Sequence, residues 1–230
     1  MKSLEELEKK LKIHFKNQAL LQMVFTHRSY LNEHKGEKLF SNERLEFLGD
    51  AILSFWVSSH LYGKYPDLPE GILTNMRTLL VRTESLAEKA KDLELGEYLF
   101  LSKGEEKGGG RMNRALLANT FESLTGAIFL EKGLIEVSKF LEKNFSQKIA
   151  ELGSSQLKDY KSILQEKIQT TVKFSPEYKV LRQEGPDHDK TFQVGVFSQG
   201  ILLGTGEGKS KQEAEELAAK NALENNANLR

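Results

Sequence analysis

Cysteine is absent from the 230 residues, which excludes disulfides, thiolate nucleophiles and sulfur-ligated zinc or iron–sulfur centres. That suits a reducing compartment. No apolar run approaches the ~20 residues that cross a bilayer. The chain opens Met1-Lys2-Ser3-Leu4-Glu5-Glu6, a charged helix start with Ser3 and Glu6 spaced as a capping box, not the apolar stretch of an export signal. The expectation is a soluble, cytoplasmic protein without a membrane partner. Excess charge is also lacking, since 33 basic and 33 acidic residues cancel, and Lys158 to Arg230 balances 11 against 11. Any surface for a polyanion must therefore be local. The length allows one large domain, or one medium and one small.

The first two thirds read as helices, with few strand signals. Apolar spacing predicts helices over residues 4–12, over 18–31 with Leu20, Leu21, Val24 and Phe25 inward, and over 42–62. Tyr65-Pro66-Asp67-Leu68-Pro69 breaks the chain, and Glu70-Gly71 leads into another helix through Met76, Leu79 and Leu80. Ser85 and Glu88 are spaced as a capping box for a helix that Gly96 can end. Ser102 to Asn113, with four glycines, reads as a mobile loop.

Two of these helices carry unusual acids. In Asn-Glu-Arg-Leu-Glu-Phe-Leu-Gly-Asp, Asn42 to Asp50, helical geometry puts Glu43, Glu46 and Asp50 within an arc of roughly 60°. Leu45, Leu48, Ala51, Ile52 and Phe55 are expected to turn toward a core. A solvated acidic face is one reading. However, Glu46 and Asp50 repel at i,i+4 with no basic residue on the stripe, and a cation would relieve that. The segment Ala115 to Leu130 is apolar nearly all round, with Glu122 its sole charge. Asn119, Glu122 and Gly126 share one stripe, so two polar side chains project together and the glycine permits a close approach. A carboxylate so placed needs a proton or a positive partner. A core glutamate bonded to backbone or arginine answers that need, as does a metal shared with the acids of Glu43 to Asp50.

The nine residues Asn42 to Asp50, then Pro69-Glu70-Gly71, then Leu116 to Leu130, resemble the endonuclease domain of bacterial ribonuclease III. The resemblance implies an all-helical domain that forms a homodimer and uses Mg²⁺, with Mn²⁺ as a substitute. It further implies cleavage of both strands of double-stranded RNA, leaving 5′-phosphate and 3′-hydroxyl ends with short 3′ overhangs, in ribosomal and messenger RNA processing. Metal ligands and supporting acids would fall on Glu43, Glu46, Asp50, Glu70 and Glu122, with Asp50 and Glu122 catalytic and Glu46 and Glu122 binding metal most directly. Phe47 would enter the partner subunit, although its position alone also suits a core residue. The family pattern commonly has aspartate where Asn119 stands. An amide oxygen can still hold Mg²⁺ or one of its waters but adds no charge, so a protein that binds duplex RNA with weak or no cleavage is the alternative. Among the histidines, His14, His27, His34, His60 and His188 show no ligand spacing, which argues against a histidine-based nuclease. For His27, in Thr-His-Arg-Ser-Tyr, a structural hydrogen bond is expected.

A polar stretch with Gly153-Ser154-Ser155 suggests a linker over residues 151–157, between an all-α domain at 1–150 and a small α+β domain at 158–226. The latter reads as a helix from Asp159 to Gln169, strands at Tyr178–Gln183, Thr191–Ser198 and Ile201–Gly206, and a helix from Ser210 to Asn225. Phe192, Val194 and Val196 alternate, and Gln199-Gly200 suits a hairpin turn. This α-β-β-β-α order, with its Gly-Pro-Asp-His and Gly-Lys-Ser-Lys segments, resembles the double-stranded-RNA-binding domain. That likeness places Gln165 and Glu166 in one minor groove, Pro186 and His188 in the next, and Lys209 and Lys211 on the phosphates between. Without it the two lysines are a solvated helix start. Lys220 is a further candidate on the same terms.

Overall fold

The computed structural model describes residues 2–36, 38–66, 68–156, 160–172, 175–184 and 190–225. They fall in two compact units, residues 1–150 and 151–230. The first contains α1 (Leu4–Leu11), α2 (Gln18–Phe25), α3 (Arg28–Glu33), α4 (Glu43–Lys64), α5 (Glu70–Val81), α6 (Thr83–Asp92), α7 (Lys103–Lys107) and α8 (Arg114–Gln156) as far as Ala150, with 3-10 turns at Leu95–Tyr98 and Gly110–Met112. As expected, Ser3 caps α1, its Oγ accepting from the Glu6 N–H at 3.3 Å.

Four local expectations are corrected. The helix predicted over 18–31 is split at Thr26-His27. There the backbone is extended and bonds to Phe100, through the His27 N–H to the Phe100 carbonyl and the Phe100 N–H to the Phe25 carbonyl. Tertiary pairing overrides helical spacing here. Ser85 is not a cap but a buried residue inside α6, which starts at Thr83 and ends at Asp92, before the Gly96 expected to stop it; the Ser85 hydroxyl accepts from the Lys148 ammonium at 3.0 Å. The stretch read as a mobile loop instead holds α7, capped by Ser102, and a 3-10 turn. On α4, Ala51 and Phe55 face outward. Leu45, Gly49, Ile52, Leu53, Trp56, Val57 and Leu61 form the inward face, leaving Phe47, Ala51, Phe55 and Tyr62 as one exposed stripe.

The core is built around α8. Its first half is buried on nearly every side, as its composition required. At Gly133 the backbone takes φ 79°, ψ −176°, a conformation that favours glycine, and the chain folds back. Phe140 then stacks on Phe121 at 5.5 Å and Phe145 meets it edge-on at 5.9 Å. Residues 151–156, read as linker, are the last turns of α8.

The second unit is α9 (Tyr160–Val172), β1 (Glu177–Glu184), β2 (Thr191–Ser198), β3 (Ile201–Gly208) and α10 (Lys211–Asn225), with the strands in order β1-β2-β3, all antiparallel. The β2–β3 turn is Gln199-Gly200, both at positive φ, the geometry of a tight hairpin. Leu164 and Ile168 of α9 pack with Val194, Val196 and four alanines of α10. Gly204 and Gly206 let α10 lie directly on the sheet, because a β-carbon on Gly206 would sit 2.2 Å from the Ala218 nitrogen. Among the described residues no helix is long and apolar enough to cross a membrane.

Candidate active site

The acid-bearing faces of α4 and α8 meet because both helices lack a side chain where they touch. A β-carbon on Gly49 would lie 1.8 Å from the Glu122 carbonyl oxygen, and one on Gly126 would lie 2.5 Å from that of Leu45. The close approach expected at Gly126 is therefore made by the backbone of α4. Asn42 fixes the same junction. Its amide donates to the Val24 carbonyl at 3.2 Å, its N–H bonds the Thr26 carbonyl, and its carbonyl accepts from the Ser123 hydroxyl at 3.2 Å.

Above this contact lies a cavity of about 600 Å³ whose lining includes Glu43, Glu46, Asp50, Asn119 and Glu122. Two helices far apart in sequence thus converge on one acidic space. Burial, then the charges of Asp50 and Glu46, push the Glu122 carboxyl up to about 8. Burial also raises Glu46, and the charges of Glu43 and Asp50 add to this, while a hydrogen bond from Asn119 opposes it. Among the described residues no lysine or arginine is ion-paired with Glu46, Asp50 or Glu122. Arg28 reaches only Glu43, at 3.8 Å, and Glu43 also accepts from the Ser41 hydroxyl at 2.8 Å. Charged together, these acids are destabilising without a cation.

The donor set is oxygen only, which suits a hard cation such as Mg²⁺ or Mn²⁺. Among the described residues, no three His, Asp or Glu side chains are grouped closely enough to hold a metal ion alone. Mg²⁺ does not need that, since it keeps several waters and is commonly held by one or two carboxylates plus substrate phosphate. The residues present fit such an ion.

Glu70 is not part of this cavity. It stands exposed in the first turn of α5, where its carboxylate accepts from the Thr74 hydroxyl at 2.8 Å. Phe47 lies on the cavity rim and is 80% exposed, so one chain leaves it uncovered and the core alternative does not hold. Sequence reasoning did not place His27, Arg28 or Asn42 at the site, yet all three line it. Their signal was only proximity to a helix start, and the split between α2 and α3 that brings them there is tertiary.

In the second unit Gln165 and Glu166 are exposed on α9, opposite the buried Leu164 and Ile168. Lys209 and Lys211 are exposed at the start of α10, where Ser210 Oγ accepts from the Glu213 N–H at 3.1 Å and the Glu213 carboxylate accepts from the Lys209 N–H at 2.8 Å. Lys220 is 3.8 Å from Glu224 and lies over the Tyr160 ring. Pro186 and His188 lie outside the described residues.

Residues 17–149 match the family model described as Ribonuclease-III-like, and residues 160–226 match the double-stranded RNA binding motif. The chain is similar to Ribonuclease 3 of Listeria innocua, 46% identical over 223 residues and 97% of each chain. It is also similar to Ribonuclease 3 of Enterococcus faecalis, 46% identical over 218 residues and 95% of each chain. The solved nuclease domain of ribonuclease III from Campylobacter jejuni, described with a region involved in dimer formation, covers 63% of this chain and 99% of its own at 37% identity and TM-score 0.57. Dicer from Pichia stipitis covers 92% of this chain and 96% of its own, at 29% identity and TM-score 0.51. The helical unit that carries the converging acids and the α-β-β-β-α unit that follows it are thus the two regions these matches cover, and the chain belongs to the ribonuclease III family, an endoribonuclease with a double-stranded-RNA-binding domain.

Proposed function

We propose that the chain is a Mg²⁺-dependent homodimer that cleaves both strands of double-stranded RNA in the cytoplasm, leaving 5′-phosphate and 3′-hydroxyl ends with short 3′ overhangs, and so serves ribosomal and messenger RNA processing. The observation that carries this reading is the cavity in which Glu46, Asp50 and Glu122 converge with no ion-paired lysine or arginine among the described residues. Glu46, Glu122 and Asn119 would hold the ion, with Asp50 beside them. Bound there, Mg²⁺ would neutralise phosphate charge, activate water and stabilise the leaving oxygen. The protein's part is to keep the carboxylates aligned through the Gly49–Gly126 contact and to hold or take up a proton at Glu122, whose burial favours the protonated form. Glu43, which lines the cavity, supports the site through charge.

Homodimer formation is supported by the exposed stripe of α4. Phe47, Phe55 and Tyr62 are 80%, 58% and 76% exposed, a run of large apolar side chains along one helix face of the kind that marks an interaction surface. Phe47→Ala is expected to shift the protein toward monomer in sedimentation at micromolar concentration without lowering the monomer's melting temperature. An unchanged dimer with a destabilised fold would reject the assignment.

The second unit holds the duplex. Shape recognition needs two minor-groove contacts and phosphate contacts between them, roles for Gln165 with Glu166, Pro186 with His188, and Lys209 with Lys211. The double variant Lys209→Ala, Lys211→Ala should weaken binding to all duplex sequences alike and flatten the salt dependence by roughly one unit for each phosphate left without its lysine. Sequence-selective weakening, measured by filter binding across several duplexes, would contradict this.

Asn119 is what favours the alternative, a duplex-binding protein with little cleavage, because an amide brings no negative charge to the site, even though its hydrogen bond favours the charged form of Glu46. Asn119→Asp is expected to reduce the Mg²⁺ concentration for half-maximal cleavage while leaving metal-free duplex affinity unchanged. Equal Mg²⁺ requirements in the two forms would remove Asn119 from the metal site.

A further inference from the structure

His27 fulfils the expectation of a structural hydrogen bond and leaves half of its ring unused. It is the N-cap of α3, where its Nδ1 accepts from the Ser29 N–H at 3.3 Å and meets the Ser29 hydroxyl at 2.8 Å. The Ser29 oxygen in turn accepts from the Ser102 N–H at 3.1 Å, so its own proton is available to Nδ1. A backbone N–H can only donate, so Nδ1 is an acceptor and the ring's proton must sit on Nε2. Among the described residues Nε2 has no partner, and unlike Nε2 of His60 it is not sealed from solvent. His27 is among the residues that line the acidic cavity, with Arg28 and Glu43. Burial lowers the His27 pKa, and Arg28 lowers it further against the opposing charges of Glu105 and Glu43, so the ring is a neutral N–H donor with fixed direction. Such a donor can approach a polyanion at a site crowded with carboxylates without pairing to one of them and neutralising it.

We propose that His27 contacts substrate, its Nε2–H donating to a non-bridging oxygen of a backbone phosphate of the RNA duplex lying across the cavity. The inference rests on the functional reading above. Ser29 and Ser102 are positioning residues, since they set the tautomer and the aim of the ring without reaching the substrate.

The test compares His27→Asn with wild type. Asparagine is a better N-cap than histidine and preserves the α3 start, but it is too short to carry a donor to the Nε2 position. Single-turnover cleavage by His27→Asn should fall by about 10- to 100-fold, as for removal of one hydrogen bond to a charged group, with melting temperature and the Mg²⁺ requirement unchanged. Duplexes carrying one phosphorothioate at successive positions supply a readout that a structural role would not move. At one position near the cut, sulfur should slow wild type by at least about threefold and leave His27→Asn unaffected, the non-additivity expected of two partners in one contact. Nitrogen NMR of the free protein should find the Nε2–H tautomer. Undiminished cleavage by His27→Asn, identical phosphorothioate profiles in both proteins, or an Nδ1–H tautomer would each overturn the inference while leaving the functional reading intact. Failure of wild type to cut duplex RNA at all would overturn both.

Discussion

Glu122→Gln is expected to abolish cleavage, by roughly 10²–10³-fold or more, and at the same time to stabilise the metal-free protein at neutral pH. The amide keeps the shape and loses the charge that would hold the ion. The stability gain follows from linkage. In the folded protein Glu122 keeps its proton up to about pH 8, against an ordinary 4.5. Between those values the unfolded chain has released this proton and the folded chain has not. The folded state therefore binds more protons, and stability falls as pH rises through the window. Glutamine removes that decline. In EDTA, the two proteins should melt together below about pH 4.5 and diverge toward pH 8, with the variant higher by roughly 2–4 °C for each kcal/mol relieved. Added Mg²⁺ should reverse the order, raising wild type and not the variant. Duplex binding should persist. A variant that melts lower than wild type in EDTA at pH 7.5 would assign Glu122 to a structural hydrogen bond in the core.

The second large effect is expected from Gly49→Ala. One methyl group would meet the Glu122 backbone at 1.8 Å, and backbone inside two packed helices cannot rotate aside as a side chain can. The helices must separate, at a cost of about 1–3 kcal/mol, the range for overpacking a close-packed core. Because the same contact sets the spacing of Glu46 and Asp50 from Asn119 and Glu122, cleavage should fall out of proportion to stability, with a raised Mg²⁺ requirement in the fraction that remains folded. Thermal melting paired with Mg²⁺ titration checks this. Gly71→Ala, where an added methyl meets nothing within 4 Å, serves as the control at a helical glycine and should change little. Equal behaviour of the two variants would show that the close crossing is not what aligns the acids.

Periodicity and capping chemistry made most of the fold legible, and the places where they misled share a cause. The strand of the second unit read as Thr191–Ser198 has those bounds in the structure, because alternation and an adjacent turn agree locally. Ser85 with Glu88 has the same spacing as a true capping box. It lies inside a helix because Lys148, far along the chain, supplies the hydroxyl's partner. Ala51 and Phe55 read as core because they are apolar, but coverage depends on what is packed against them, and α4 has an uncovered side. The split at Thr26-His27 required Phe100, more than 70 residues away, to compete for the backbone.

The site was legible in a similar way. The stripe of Glu43, Glu46 and Asp50 follows from helical geometry, and the isolation of Glu122 in an apolar helix announced a carboxylate in need of a partner. Their convergence could be argued from the need of both for a cation and from family resemblance, but not from a pattern, since no pattern in one sequence states which two helices cross. The glycines that permit the crossing were visible, but what approaches them was not. His27 shows the limit most clearly: a structural hydrogen bond could be expected of it, whereas its place as the cap of α3 and the free face of its ring emerge only once the split between α2 and α3 is seen.

Metal-dependent cutting at the acidic cavity is tested most directly by cleavage of a plain, perfectly paired RNA duplex by the wild-type protein as Mg²⁺ is titrated, with Glu122→Gln run in parallel. Expected are no cutting in EDTA, double-strand cutting that rises and saturates with Mg²⁺, products bearing 5′-phosphates and short 3′ overhangs, and none of this from Glu122→Gln although it still binds the duplex. Cutting that persists in EDTA, or a wild-type protein that binds the duplex and leaves it whole at every Mg²⁺ concentration, would contradict that assignment.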